Sequence, residues 1–343
     1  MAVTATGVQT LNDVLSVLDP QGKLLDIAEI LTQDNEFLDY FNWREGNLVT
    51  GHRDAARTAL PTPSFRAINE GVPVTKGAST QIEETCALLE DFSQCDRELA
   101  ILSGNIAGYR LQEGKPHIIG MGHKMAQQMI YGNAAADPKS FTGLAPRYNS
   151  LSTSVSNTAN NVLNAGGTGS ALRSIWLIVS GPDTITGLYP KNTKGGLLHE
   201  DATSHAGGTA ENGGGQVMLD ANGNPYIGFR DHWLWRCGMM VKDWRYAVRI
   251  ANIDPTTLTK SGATGADIQD LMIQAAERVQ DTSNGRAFFL MDRNIRAFFR
   301  RQLTAQKNQF LSMDDVGGKR MLNFGEIPIL RTDAMAVNEA QVS

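Results

Sequence analysis

The chain has three cysteines in 343 residues, Cys86, Cys95 and Cys237, an odd and scattered set without a Cys-x-x-Cys pair. That excludes a disulfide framework and a thiolate metal site, and the thiols are expected to be reduced. Long apolar runs are missing too. None approaches the roughly 18 residues that a membrane span needs, and the N-terminus lacks the charged and apolar regions of a signal peptide. A soluble protein made in a cytoplasm, with no membrane partner, is expected. Nor is there an excess of positive charge. Thirty-one basic against 36 acidic residues give −5, which argues against wrapping nucleic acid through a basic face without excluding contact with it.

Catalytic constellations are equally scarce. His199-Glu-Asp-Ala-Thr-Ser-His205 has a histidine spacing of six, whereas a zinc helix needs His-Glu-x-x-His to put both imidazoles on one face. An ordinary loop is expected there. Asp220, Asn222, Asn224 and Asp231 copy part of a calcium loop, but Pro225 stands where Gly is required, so a hairpin turn is expected instead. Gly166-Gly-Thr-Gly-Ser170 follows no buried strand and lacks the Lys of a phosphate loop. His117 and His123 have no paired nucleophile or carboxylate, and no Ser, Cys or Asp sits in a nucleophile turn. The sequence predicts no catalysis, no metal and no cofactor.

What is present is size, glycine and one strong periodic stretch. The length suggests two lobes, since single cores stop growing beyond roughly 250–300 residues. The 34 glycines exceed the average of roughly 7% and gather in 163–169, 194–215 and 222–228, which read as loops. Between Pro116 and Leu151, Ile118, Met121, Met125 and Met129 fall at helical spacing beside a second row of Ile119, Gly122, Ala126 and Ile130. Lys124, Gln127 and Gln128 take the polar side. Pro116 suits the first turn and Gly132-Asn133 a left-handed close, giving about 24 Å of helix laid over a sheet. Gly120 and Gly122 each cost about 1 kcal/mol against Ala inside a helix, so a close neighbour is expected at them.

Residues 1–22 are small and polar around a few apolar positions, an arm that needs a partner surface. Leu24, Ile27, Ala28 and Leu31 form a short amphipathic helix, extended by Phe37, Leu38 and Phe41, which should dock on the body. From Glu45 to about Asp91, Gly and Pro punctuate short pieces with no periodic core face, a segment that reads as a polar two-limbed projection. Its outgoing limb carries Arg53, Arg57 and Arg66. Its returning limb carries Glu83, Glu84, Glu90, Asp91 and Asp96.

Farther on, Ala171–Val179 reads as a buried strand and 217–229 as a hairpin. Residues 244–251 alternate as a strand whose polar face bears Arg245 and Arg249. Ile268–Val279 is a helix ending near Gly285. Phe288–Met291 is a strand, after which Asp292 caps a helix. Phe324–Asp333 is a strand whose Pro328 suggests an edge.

Several ordered blocks resemble the tailed-bacteriophage major capsid proteins of the Hong Kong 97-type fold. They are Leu24–Asn47, Gly51–Pro61 with Phe65–Gly71, Leu99–Asn133 followed by Phe141–Tyr148, Trp244–Asp254, and Phe324–Ile329. The resemblance implies an α+β fold with an N-terminal arm (1–45) and an extended loop (46–92). It implies a peripheral domain with a spine helix on a sheet (93–155, 236–262 and 321–343) and an axial domain (156–235 and 263–320). The charge separation along the projection leaves two readings open, inter-subunit contacts through Arg53, Arg57, Arg66, Glu83 and Glu84 or pairing between the two limbs of one hairpin, and the helical spacing points to spine-helix packing through Gly120, Gly122, Met125 and Met129.

The partners implied are other copies of the chain in pentamers and hexamers, packaged double-stranded DNA and a portal protein. The absence of a long charged leader adds a separate scaffolding protein, and a decoration protein is left open. The location implied is the virion, after assembly in the host cytoplasm. Two alternatives stand beside this reading: an encapsulin-type nanocompartment shell, and a metal-dependent hydrolase using His199 and His205.

Overall fold

A computed structural model describes residues 35–152, 158–203, 215–220, 222–260, 265–306, 311–316 and 319–343. The expected arm and the helix at 24–31 lie outside these residues. Their apolar extension appears as a short helix α1 (Phe37–Tyr40), followed by strand β1 (Trp43–Glu45). Strands β2 (Gly51–Ala59) and β3 (Ala78–Thr85) form a separate antiparallel hairpin, and β4 (Ala87–Asp96) comes next. Asp96 accepts a bond from the Glu98 N–H to cap α2 (Arg97–Leu102), and α3 runs from Ile106 to Tyr131.

The middle of the chain is β-rich: β5 (Val162–Asn164), β6 (Arg173–Ser180), β7 (Ile185–Tyr189), β8 (Leu197–Asp201), β9 (Gln216–Leu219), β10 (Pro225–Val241) and β11 (Ala247–Ile253). Then follow α4 (Ile268–Arg278), β12 (Arg286–Met291), α5 (Arg293–Gln306), β13 (Leu311–Val316), β14 (Lys319–Phe324) and β15 (Ile327–Arg331).

Two compact units share these elements. One holds Leu88–Met125 and Gly196–Arg236; the other holds Asp34–Ala87, Ala126–Gly195 and Cys237–Ser343. The stretch 156–235, expected as one block, is divided at Gly195. β8 and β9 pair with the N-terminal part of β10 in the smaller unit, whereas β5 pairs with β11 and β6 with β11 and β12 in the larger one.

The larger unit is built on β6, which lies antiparallel to β11 on one side and β12 on the other. Side chains of a strand alternate between faces. Ile175, Leu177 and Val179 of β6, Val248 and Ile250 of β11, and Phe289 and Met291 of β12 therefore meet one layer. That layer contains Ile268, Met272 and Ala275 of α4 and Ile295, Phe299 and Leu303 of α5. The opposite face is covered as well: Phe41 and Tyr40 meet the Phe288 ring edge-on, at 5.8 and 5.9 Å, and Tyr148 meets Trp176 at 5.8 Å. Burial on both faces is why β6 reads as a nearly continuous apolar run.

Three expectations about these elements change. The polar face of β11 is buried. Arg249 is 5% exposed and donates to Glu339 at 2.8 Å, to Ser174 Oγ at 3.1 Å and to the Tyr148 carbonyl at 2.8 Å. Trp244–Tyr246 is a short 3-10 turn, not part of the strand. β15 is not an edge, since it pairs with β14 on one side and β12 on the other. Its ladder to β12 begins at Ile329, one residue beyond Pro328, so the missing N–H falls before that pairing.

The last residues are tied to the same sheet. Glu339 exchanges backbone hydrogen bonds with Leu172 and accepts from the side chains of Tyr131, Ser174 and Arg249. Asn252 sits at a positive φ of 62°, beside a register shift in β11. Its side chain accepts from the Val342 N–H at 2.8 Å and donates to the Val342 carbonyl at 2.9 Å, which compensates the strained backbone.

In the smaller unit, Tyr109, Cys95, Ala100 and Phe229 form a compact core. The expected hairpin is present: β9 and β10 pair through Met218 and Tyr226, and Asp220 closes the turn by accepting from the N–H groups of Asn222 and Asn224. The stretch around His199 is strand β8, not a loop, and pairs with Asp231–Trp235. His205 lies outside the described residues.

The buried pair at β11 gives a direct test. Glu339→Ala leaves Arg249 buried without its counter-charge and is expected to cost about 3–5 kcal/mol. Arg245→Ala breaks only the exposed pair with Asp243 and should cost about 0–1 kcal/mol. Urea denaturation of the subunit separates the two, and equal midpoints would show that the buried pair has no structural weight.

Candidate assembly surfaces

Helix α3 is longer than its apolar rows suggest. Asn105 starts it, with the side-chain oxygen accepting from the Gly108 N–H at 3.0 Å, a favoured N-cap arrangement. Pro116 therefore lies inside the helix, where it removes one backbone bond at a typical cost of about 3 kcal/mol. The C-terminal end is not closed by a left-handed Gly132 or Asn133, since neither has positive φ. Instead the Leu144 and Ala145 N–H groups donate to the carbonyls of Met129 and Ile130, at 3.1 and 2.7 Å. These are carbonyls that a helix end leaves unpaired. Gly143 allows the approach, for a Cβ there would lie 2.7 Å from the Gln128 carbonyl.

Met125 and Met129 are buried, as their spacing predicts. Gly120 and Gly122 are different. A Cβ on either would meet nothing within 4 Å, so no part of the described chain makes the expected close approach. The glycine that does carry a close contact is Gly114, where a Cβ would come within 2.7 Å of the Trp233 ring.

The projection is the β2–β3 hairpin, and its root is held by charge. Glu84 receives both Arg147 guanidinium nitrogens at 2.6 and 2.8 Å, a bidentate pair largely shielded from solvent. Lys242 lies 3.0 Å from Asp54, and Arg44 lies 3.6 Å from it. Partial burial pulls the Asp54 pKa up, but hydrogen bonds from Lys242 and the Ala55 N–H carry it net below the ordinary value. Higher up, Arg53 pairs with its cross-strand partner Glu83 at 2.6 Å in the open. Arg66 donates to the Glu70 carbonyl at 3.1 Å. Arg57 is exposed, with no ion pair among the described residues.

Four of the five side chains expected between subunits, Arg53, Arg66, Glu83 and Glu84, thus have partners within the chain. The remaining acids are also engaged: Asp91 meets His117 at 2.7 Å, and Asp96 caps α2. Beyond the strands, residues 60–77 are exposed throughout, including Leu60, Phe65, Ile68, Val72 and Val74.

The smaller unit contains a polar cluster that the spacing did not show. Arg110 grips Asp231 through Nη2 at 2.6 Å and Nε at 3.1 Å and reaches Asp201 at 2.9 Å. His199 sits 2.9 Å from the same Asp231 and stacks on Trp233, at 4.3 Å between ring centroids. These residues line an open pocket of about 230 Å³ with Ala107 and Leu111. Burial pulls the Arg110 pKa down, but hydrogen bonds to Asp201 and Asp231 carry it above its ordinary value. Both acids are thus occupied by Arg110, and His199 is held between Asp231 and the Trp233 ring. No cluster of three or more His, Cys, Asp or Glu residues suited to a metal occurs among the described residues. Burial also raises the thiols of Cys86 to about 11 and of Cys95 and Cys237 to about 12, which keeps them protonated near neutrality.

At the hairpin root, burial and then the Arg44 charge hold the His52 pKa below 6.5, against a smaller opposing pull from Asp54. The Asn47 N–H donates to its Nδ1 at 3.2 Å, which requires that nitrogen unprotonated. A depressed folded pKa means that the contribution of His52 is present above 6.5 and lost as pH falls through the folded value. Urea midpoints should therefore drop between about pH 7 and pH 5 by more in the parent than in His52→Gln. An identical drop would show that His52 is uncoupled from folding.

A family model described as "Major capsid protein GP7" matches residues 19–343. A chain in the solved structure of bacteriophage epsilon15 is 28% identical, with a TM-score of 0.76, covering 100% of this chain and 99% of that one. The capsid of bacteriophage JBD30 shares the fold at 10% identity and a TM-score of 0.51, over 90% of this chain and 95% of that one. No curated protein matches the sequence. The mixed helix-and-sheet architecture is that of Hong Kong 97-type phage capsid proteins. From Leu24 to the final strands, the blocks that carry the resemblance all lie inside the matched range, and the chain belongs to the GP7 family of phage major capsid proteins.

Proposed function

We propose that the chain assembles through pentamers and hexamers into an icosahedral phage head that encloses double-stranded DNA. The observation that carries this reading is the hairpin tip. Phe65 and Val74 are completely exposed, Leu60 and Ile68 largely so and Val72 about half, on a segment with no core of its own. An apolar surface of this kind marks an interaction site, and other copies of the chain in a shell would supply its cover. A scaffolding protein and a portal protein are further partners in this reading. Assembly takes place in the host cytoplasm, and the virion is the final location.

The proposed inter-subunit role falls to the apolar tip with Arg57 and Arg66, while Arg53, Glu83 and Glu84 stiffen the hairpin from within. Gly120 and Gly122 fit the same scheme. Glycines inside a helix cost stability, and their open surroundings leave room for a neighbouring subunit's backbone.

Electron microscopy of the purified protein tests the reading: closed shells of uniform size are expected, and a monodisperse small oligomer at high concentration would overturn it. Within a shell-forming preparation, Gly120→Val should overpack its contact by about 1–3 kcal/mol and reduce assembly. Gln127→Val, on the polar side, should matter much less. Arg57→Glu should lower the yield of shells and shift their tolerance of salt. Unchanged yields for both Gly120→Val and Arg57→Glu would place the contacts elsewhere.

A further inference from the structure

Two features of the chain are complementary in size and charge. One is the hairpin tip, where Phe65 is completely exposed and is the only aromatic residue between Leu60 and Gly77. Pro61 and Pro63 fix φ at two of the four positions before it. The turn behind it is closed on itself. The Glu70 N–H donates to the Ala67 carbonyl at 3.2 Å, the Ala67 N–H to the Glu70 carboxylate at 3.0 Å, and Arg66 to the Glu70 carbonyl at 3.1 Å. The ring is thus held out on an ordered turn, which lowers the entropy lost when it docks.

The other feature is the pocket between α3, β8 and β10 in the smaller unit. It holds about 230 Å³, and a cavity of about 150 Å³ already takes a benzene ring. Trp233, Ala107 and Leu111 form its apolar wall, and Leu111 is 58% exposed. Its two ends differ in charge. At one, Arg110 meets Asp231 and Asp201, and Asp201 keeps 44% of its side chain exposed. Toward the other, Gly114 packs on Trp233, and Lys115 follows it at an exposed position of α3. Among the described residues β8 pairs only with β10, so the pocket opens beside a sheet edge.

We propose that Phe65 of one copy of the chain seats in this pocket of a second copy, with Arg66 at the Asp201 end. The inference rests on the reading of the chain as a shell subunit, and it adds which surface receives the hairpin tip. An aromatic anchor in a pocket is where binding energy concentrates in protein interfaces. A carboxylate accepts from several donors at once, so Asp201 can keep Arg110 and take a second guanidinium. Each copy offers one tip and one pocket on different surfaces. The contact is therefore head to tail, a kind that closes into rings when the rotation between copies allows it.

The test prepares Phe65→Cys and Leu111→Cys subunits separately, mixes them, assembles and oxidises them, and reads the linked peptides by mass spectrometry. Burial keeps the native thiols protonated, so they compete little. A disulfide between positions 65 and 111 of different copies is expected. A mixture of Phe65→Cys with Val337→Cys, another exposed apolar position, should give none. Phe65→Ala should raise the subunit concentration needed for shells by about tenfold or more. Leu111→Trp, which fills the mouth of the pocket, should do the same, and Phe65→Leu should do less. Both positions are exposed, so the urea midpoints of the subunits should stay at the parent value, which separates docking from folding. No link between positions 65 and 111 in the mixture, or shells from Phe65→Ala and Leu111→Trp at the parent concentration, would overturn the inference and leave the shell reading intact. A link that forms in the double variant but not in the mixture would overturn it too, since the tip would then reach its own pocket. Absence of shells from the parent chain would overturn the proposed function and this inference with it.

Discussion

Arg249 and Glu339 hold the larger unit together at the point where its C-terminal segment crosses the sheet. A charged pair with both side chains about 6% exposed is costly to assemble and persists only if its remaining donors and acceptors are met. Here they are. Arg249 uses Nε, Nη1 and Nη2 on three different partners, and Glu339 accepts from Tyr131 and Ser174 besides. Residues from α3, β6, β11, the 141–148 loop and the last segment thereby meet at one carboxylate–guanidinium contact. Asn252 repeats the arrangement in neutral form, fixing Val342 with both ends of its amide.

Much of this architecture could be read from the residues. The apolar run of β6, the hairpin around Asp220–Asn224 and the helix opening with Ile268 all rest on local signals, and each occurs where those signals stand. What the periodicity could not show was pairing across long separations. Arg249 reads as a solvent-facing residue because alternation labels it polar, and only its contact with a residue 90 positions away makes it part of the interior. Arg110 and Asp231, 121 positions apart, escaped for the same reason, although Asp231 stood out as the last member of a false calcium pattern.

The spine helix shows a local signal giving way to tertiary packing. Pro116 is a good first-turn residue, yet Asn105 begins the helix earlier and Tyr109, buried with Phe229, anchors the added turns. The glycines divide in the same way. Gly114 lies against an indole inside the chain, whereas Gly120 and Gly122 lie open, and sequence alone cannot tell a glycine facing its own chain from one facing outward. Charge segregation along the hairpin was legible, but the direction of pairing was not. Arg53 turned to the opposite limb and Glu84 to a loop more than sixty residues away.

The loop of residues 141–148 performs two tasks with closely spaced residues. Its Leu144 and Ala145 amides close the end of α3, and its Arg147 clamps Glu84 at the root of the hairpin. The root of the hairpin is thereby tied through Arg147 to the same loop that closes the helix. Nine residues of extended strand reach about 30 Å, so a rotation of about 10° at the root displaces the tip by about 5 Å over that reach. By its length alone the hairpin is the long arm of a lever with its fulcrum at the root, so that a small rotation there would become a shift the size of a whole side chain at its far reach.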